Sequence, residues 1–199
     1  MVRKPSPEKR EQYLHAALKL FVANGVQNTS TAAIAKEAGT ATGTLFLYFP
    51  TKQDLINELV MDIVRSQSKT INAVMTPALS ARDSFLAIWE GSIRWFLANM
   101  EAYQYIQQVR DSVMISEEVV QESNKYFEFY YTAIQKGLSE AAIKPYPVEL
   151  IGEMLYRAIV AIMNLIKVQP EETKREEYIR SGFEIFWNGI KHEDRKSVV

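Results

Sequence analysis

The 199-residue sequence predicts an all-α protein of about nine helices. Gly (8) and Pro (7) are scarce, too few for a many-stranded sandwich with a turn at every tenth residue or so. Apolar residues recur at i, i+3, i+4 along most of the chain, and the breaks between these stretches fall at Asn-Gly, at proline or at polar clusters. No stretch carries a persuasive strand pattern, and no fixed-period repeat is present.

Taken in order, Ser6-Pro7-Glu8 supplies an N-cap, an N1 proline and a first-turn acid for the first helix. Tyr13, Leu14, Ala17, Leu18, Phe21 and Val22 make its buried stripe, and Asn24-Gly25 stops it. Ser30 or Thr31 caps a short second helix that ends at Gly39, and a third runs over about Thr42 to Phe49, before Pro50. Thr51-Lys52-Gln53-Asp54 reads as a capping box with Asp in place of Glu, opening a fourth helix through Leu55, Ile56, Leu59, Val60, Ile63 and Val64. Further helices are expected over 81–99, 101–113, 117–142, 148–168 and 171–191, bounded by Pro77, Ser116, Pro145, Pro147 and Pro170.

Charge divides the chain unevenly. Residues 1–52 hold seven Lys/Arg against three Asp/Glu, a net of +4; the whole chain is −1, which leaves −5 for residues 53–199. A basic head on an acidic body suits contact with a polyanion, and equally a solvated face with clustered charge. The absence of Cys excludes disulfides and thiolate chemistry and suits a cytoplasmic address. Two histidines, His15 and His192, are too few for a multi-His metal site. The N-terminus lacks the apolar core of a signal peptide, and no apolar run is long enough for a membrane span. There is no Ser-His-acid set, phosphate-binding glycine loop or HExxH helix, so neither an enzyme nor a cofactor is expected.

The most informative stretch is residues 29–52. Ala35 is small where a second helix must cross closely, Gly39 permits a turn with positive φ, and Leu45 anchors the helix that follows. This is the spacing of a helix-turn-helix, although an ordinary helical hairpin shares it. Ala41, Thr42, Gly43 and Thr44 are small enough for the helix end to enter a major groove, where a threonine hydroxyl and methyl can meet base edges. Tyr48 and Lys52 are placed to reach phosphates.

The run Ile34-Ala35, Ala38-Gly39 and Gly43-Thr44-Leu45-Phe46-Leu47-Tyr48-Phe49-Pro50-Thr51-Lys52 resembles the N-terminal signature of the tetracycline-repressor (TetR) family. The resemblance covers roughly residues 8–56. It implies a transcriptional regulator, usually a repressor, that binds double-stranded DNA at a palindromic operator as a homodimer and is released by a small effector. It also places Thr31, Thr42, Gly43, Thr44, Phe46, Leu47, Tyr48 and Lys52 at DNA-contact positions. Two residues depart from the family pattern. Phe46 stands where Tyr is usual, which removes a phosphate-binding hydroxyl, and Thr42 stands where Lys is frequent. Lys52 and the arm Arg3, Lys4, Lys9 and Arg10 are therefore expected to carry more of the electrostatic affinity.

Domain boundaries follow: 1–52 for the three-helix DNA-binding head, and 53–199 for a larger helical ligand-binding and dimerisation domain. In the body, Trp89 and Phe96, the polar-tipped Tyr103 and Gln107, and Phe127 and Tyr130 from the aromatic run 126–131 are candidates to line an apolar effector pocket. Ile151, Leu155, Ile159 and Ile162, with Phe183, Phe186 and Trp187, are candidates for a dimer face built from the last two helices. The rival readings are a helical interaction module whose basic head binds an acidic protein and, behind it, a helical enzyme.

Overall fold

The computed structural model describes residues 6–110 and 114–192. Ten helices are described: α1 (Pro7–Asn24), α2 (Thr31–Glu37), α3 (Thr42–Leu45), α4 (Lys52–Asn72), α5 (Ala81–Ala98), α6 (Met100–Val109), α7 (Glu117–Tyr126), α8 (Glu128–Ser139), α9 (Val148–Ile166) and α10 (Glu172–Ile190). Among the described residues there is no strand, only an isolated antiparallel bridge between Ile143 and Lys191. None of the described helices is long and apolar enough to cross a membrane.

The count exceeds the expected nine because residues 117–142 form two helices. The break falls at Phe127, whose φ of −107° and ψ of 22° lie off the helical values. Tyr130 N–H turns back to Phe127 O at 2.9 Å, and the Tyr126 carbonyl instead accepts the buried Ser68 hydroxyl at 2.8 Å. A partner from another helix thus replaces the lost intrahelical bond. No Gly or Pro marks this point, so the sequence pattern runs straight through it.

The chain packs as two compact units: the described residues up to Ser66 with Asn99–Lys125, and Gln67–Ala98 with the described residues from Tyr126 onward. The first unit extends past the 1–52 head because α6 packs against α1. Phe21 stacks on Tyr105 with ring centres 5.8 Å apart, and the Tyr105 hydroxyl donates to Ile56 O at 3.0 Å. Burial pushes the Tyr105 phenol well above its usual pKa, so it stays a neutral donor.

In the second unit Trp89 of α5 is fully buried and donates its indole N–H to Ile179 O at 2.9 Å. Its ring lies 6.0 Å from Phe183 and 6.4 Å from Phe186, and Phe85 lies 5.8 Å from Trp187. Gly182 lets α10 approach this far. A Cβ there would sit 2.6 Å from Ile162 Cδ1 and 2.9 Å from Trp89 Cζ2. At the surface Arg94 grips Glu176 through both guanidinium nitrogens at 3.1 Å, and Arg82 pairs with Glu184 while lying 5.2 Å over the Phe183 ring.

Candidate nucleic-acid interface

The head is built around Tyr13, Leu14, Ala17 and Phe21 of α1, which bury against Ile34 and Ala35 of α2, Leu45 of α3 and Phe49. Ser30 caps α2 by accepting the Ala33 N–H at 3.1 Å. Gly39 turns the chain with φ +67°, and the Thr40 N–H closes the turn on Ala35 O at 2.8 Å. A Cβ at position 39 would touch nothing, so the glycine serves the backbone angle rather than a close approach. Tyr13 reaches across to donate its hydroxyl proton to Thr40 Oγ1 at 2.8 Å, which ties α1 to the turn. The result is helix, tight turn, helix.

The second helix of the motif is shorter than expected. α3 spans Thr42–Leu45, and the chain continues through Phe46, Leu47 and Tyr48 in tighter turns, with Leu47 N–H bonded to Thr44 O and Tyr48 N–H to Leu45 O. Leu45 and Phe49 face the core. Ala41, Gly43, Phe46 and Leu47 are exposed, with Thr42, Thr44 and Thr31 half-buried. The solvent-exposed members of the candidate set are thus Ala41, Gly43, Phe46 and Leu47.

Tyr48 and Lys52 are already engaged within the protein. The Tyr48 hydroxyl accepts the Ser6 N–H at 2.9 Å, and its ring lies 5.3 Å from Tyr13. That oxygen keeps its proton to donate outward. Lys52 Nζ donates to Val26 O at 2.6 Å and to Gln27 O at 3.3 Å, joining the start of α4 to the α1–α2 turn. The capping box forms as expected: Asp54 Oδ2 accepts the Thr51 N–H at 2.9 Å, and Thr51 Oγ1 accepts the Asp54 N–H at 3.0 Å.

Of the basic arm, Arg3 and Lys4 lie outside the described residues. Lys9 sits in the first turn of α1, and Arg10 is paired with Glu58 with its guanidinium 6.0 Å over Phe49. Arg10 therefore braces the head internally. An acidic groove of about 570 Å³, lined by Glu8, Glu11, Gln12, His15, Ala16, Glu37 and Ala38, marks a side of the head unsuited to a polyanion. There Glu37 holds Lys19 at 2.6 Å, which lowers the carboxyl pKa and raises that of the amine.

The other candidates separate on inspection. Trp89, Phe96 and Tyr103 are buried, Gln107 is exposed, and Phe127 and Tyr130 are half-buried with rings 5.8 Å apart. Tyr130 shares a 3.1 Å hydrogen bond with Ser92, a polar pair that the aromatic pattern did not single out. Ile151, Leu155, Ile159, Phe183, Phe186 and Trp187 are buried within the chain and Ile162 is half-buried, so these side chains pack α9 and α10 into their own unit. The apolar residues that α9 and α10 leave in solvent are Leu150, Met154, Leu165 and Ile185, which the stripe reading passed over.

The helix-turn-helix geometry agrees with comparison to known proteins. The family model for bacterial regulatory proteins of the tetR family matches residues 14–59, and that for the tetracyclin repressor-like C-terminal domain matches residues 60–192. The chain belongs to the TetR family. A TetR-family transcription regulator from Shewanella sp. PV-4 superimposes with a TM-score of 0.86 at 27% identity, over 93% of this chain and 99% of that one. A second, from Marinobacter aquaeolei VT8, gives 0.82 at 21%, over 93% and 96%. The HTH-type transcriptional regulator YhgD of Bacillus subtilis (strain 168) is 22% identical over 160 residues, 79% of this chain and 84% of that protein. This TetR-family protein is accordingly a DNA-binding transcriptional regulator, and its relatives are regulators rather than enzymes.

Proposed function

We propose that this chain is a cytoplasmic repressor that binds a palindromic operator as a homodimer and is released by a small lipophilic effector. The reading rests on one observation above others: Ala41, Gly43, Phe46 and Leu47 are exposed, with Thr42 and Thr44 half-buried among them, on a helix-turn-helix whose Ile34, Ala35, Leu45 and Phe49 are core. Residues 1–52 would carry DNA contact, with Thr31, Tyr48 and Lys52 flanking the groove-facing set, and residues 53–199 would carry dimerisation and effector binding.

Dimerisation is supported by the outer side of α9 and α10. Leu150, Met154 and Leu165 follow helical spacing along α9 and are exposed by half or more, as is Ile185 of α10. Large apolar side chains grouped in this way mark an interaction surface. In a homodimer two copies of this surface meet, and two recognition elements reach successive major grooves about 34–36 Å apart. For the effector, Trp89, Phe96, Phe127 and Tyr130, which share one compact unit, remain the candidate contacts, with Ser92 added as the partner of Tyr130.

Release would work through the free-energy difference between two body conformations, since a ligand shifts an equilibrium only by its differential affinity. Selecting bound sites from random duplex DNA tests the reading. A two-fold symmetric consensus whose affinity falls steeply with salt is the expected result. An asymmetric site would exclude the dimeric operator, and no salt-sensitive binding would favour the acidic-protein partner.

A further inference from the structure

From Ala38 to Thr51 the chain contains no charged side chain, no carboxamide and no histidine. This is the whole turn and recognition element. Reading a guanine through its two acceptors needs Arg or Lys, reading an adenine needs Asn or Gln, and reading a cytosine amine favours Asp or Glu. None of these is present. What the element does present is a pair of half-buried threonines, Thr42 and Thr44, beside Phe46 at 41% and Leu47 at 60% exposure. Phe46 N–H bonds to Thr42 O at 3.3 Å, which keeps Phe46 one helical turn from Thr42, whereas Leu47 N–H turns to Thr44 O at 3.2 Å.

Exposed phenyl and isobutyl groups in the turns that directly follow the second helix of a helix-turn-helix have one apolar counterpart among base edges. In the major groove only thymine carries an apolar group, its C5-methyl. We infer that this protein reads its half-site chiefly through thymine methyl groups, with Phe46 and Leu47 as the specificity-determining residues. The inference rests on the DNA-binding reading above and adds which bases are read and how. Gly43 adds no side chain that would hold the backbone away from the groove, and a Cβ at that position would meet nothing within the protein. Thr42 and Thr44 supply single hydrogen bonds, which orient the element without fixing base identity.

The test uses the full-length protein and the tightest duplex recovered from a random pool. Each thymine of the half-site is replaced in turn by deoxyuridine, which pairs identically and lacks only the methyl. At one or more positions affinity should fall about fourfold per methyl, the equivalent of roughly 0.8 kcal/mol of apolar burial. Bromine at C5, close in size to the methyl, should restore it. In Leu47→Ala or Phe46→Ala, both at exposed positions and so expected to fold, the thymine-to-uracil difference should vanish at the position each residue contacts.

Equal affinity for the thymine and deoxyuridine duplexes would overturn the inference while leaving DNA binding intact. A recovered half-site without thymine, or a uracil penalty that persists in both variants, would overturn it too. Absence of any salt-sensitive duplex binding would remove the DNA-binding reading and the inference together.

Discussion

Large apolar side chains reach solvent both on the recognition element and on the α9 and α10 helices, and their surroundings differ. Phe46 and Leu47 project from a four-residue helix and its following turns, flanked by threonines and glycine. Leu150, Met154 and Leu165 stand along the 19-residue α9 and Ile185 on the equally long α10, two helices that each bury five apolar side chains. The first surface is small and locally polar, suited to a wet groove. The second is long and backed by rigid core, suited to another protein. Exposure alone does not identify a partner; the length and backing of the element that carries it do.

The largest expected effect breaks the second surface. Met154→Lys places an ammonium where the proposed dimer would bury a thioether. An unpaired buried charge costs on the order of 3 kcal/mol or more, so operator affinity should fall by roughly 100-fold, and sedimentation should show monomers. Unchanged sedimentation would move the dimer contact elsewhere. Next comes the backing of that surface. Gly182→Val forces atoms onto Ile162 and the rigid Trp89 ring and should lower unfolding free energy by about 2 kcal/mol, read from the denaturant midpoint.

On the first surface, Lys52→Ala should lower the salt slope of DNA binding by about one ion if its remaining proton meets a phosphate. It should also cost roughly 1–2 kcal/mol of stability through the lost bonds to Val26 and Gln27 carbonyls. A stability loss with an unchanged slope would make Lys52 a strut alone.

The smallest effect concerns pH. Arg94 holds the Glu176 carboxyl below its usual range, so the pair stabilises the fold above the unfolded carboxylate range near pH 4 and loses that contribution as pH falls through the depressed value. Both side chains are about half exposed, so screening limits the effect to roughly half a kcal/mol, and Glu176→Gln should flatten that part of the acid titration.

The helix starts were legible because their chemistry is local. Ser6, Ser30 and the Thr51–Asp54 box each bond within a few residues, so the pattern and the bond share one short segment. The turn at Gly39 was legible for the same reason. The break at Phe127 was not, because the bond that compensates it reaches the Tyr126 carbonyl from Ser68, 58 residues away. Close helix approach is as hard to read locally: a Cβ at Gly152 would meet nothing, whereas one at Gly182 would meet Ile162 and Trp89. Periodicity gave the buried stripe of α9 correctly, but a stripe that faces its own chain reads the same as one that faces a second copy. The exposed residues that separate the two cases lie outside the stripe.

The hydroxyl of Ser68 supplies the donor that the Tyr126 carbonyl would otherwise lack once Tyr130 N–H has turned to Phe127 O. Ser68→Ala would strip that oxygen of this bond, so a lone proton on α4 guards a main-chain acceptor far along the sequence.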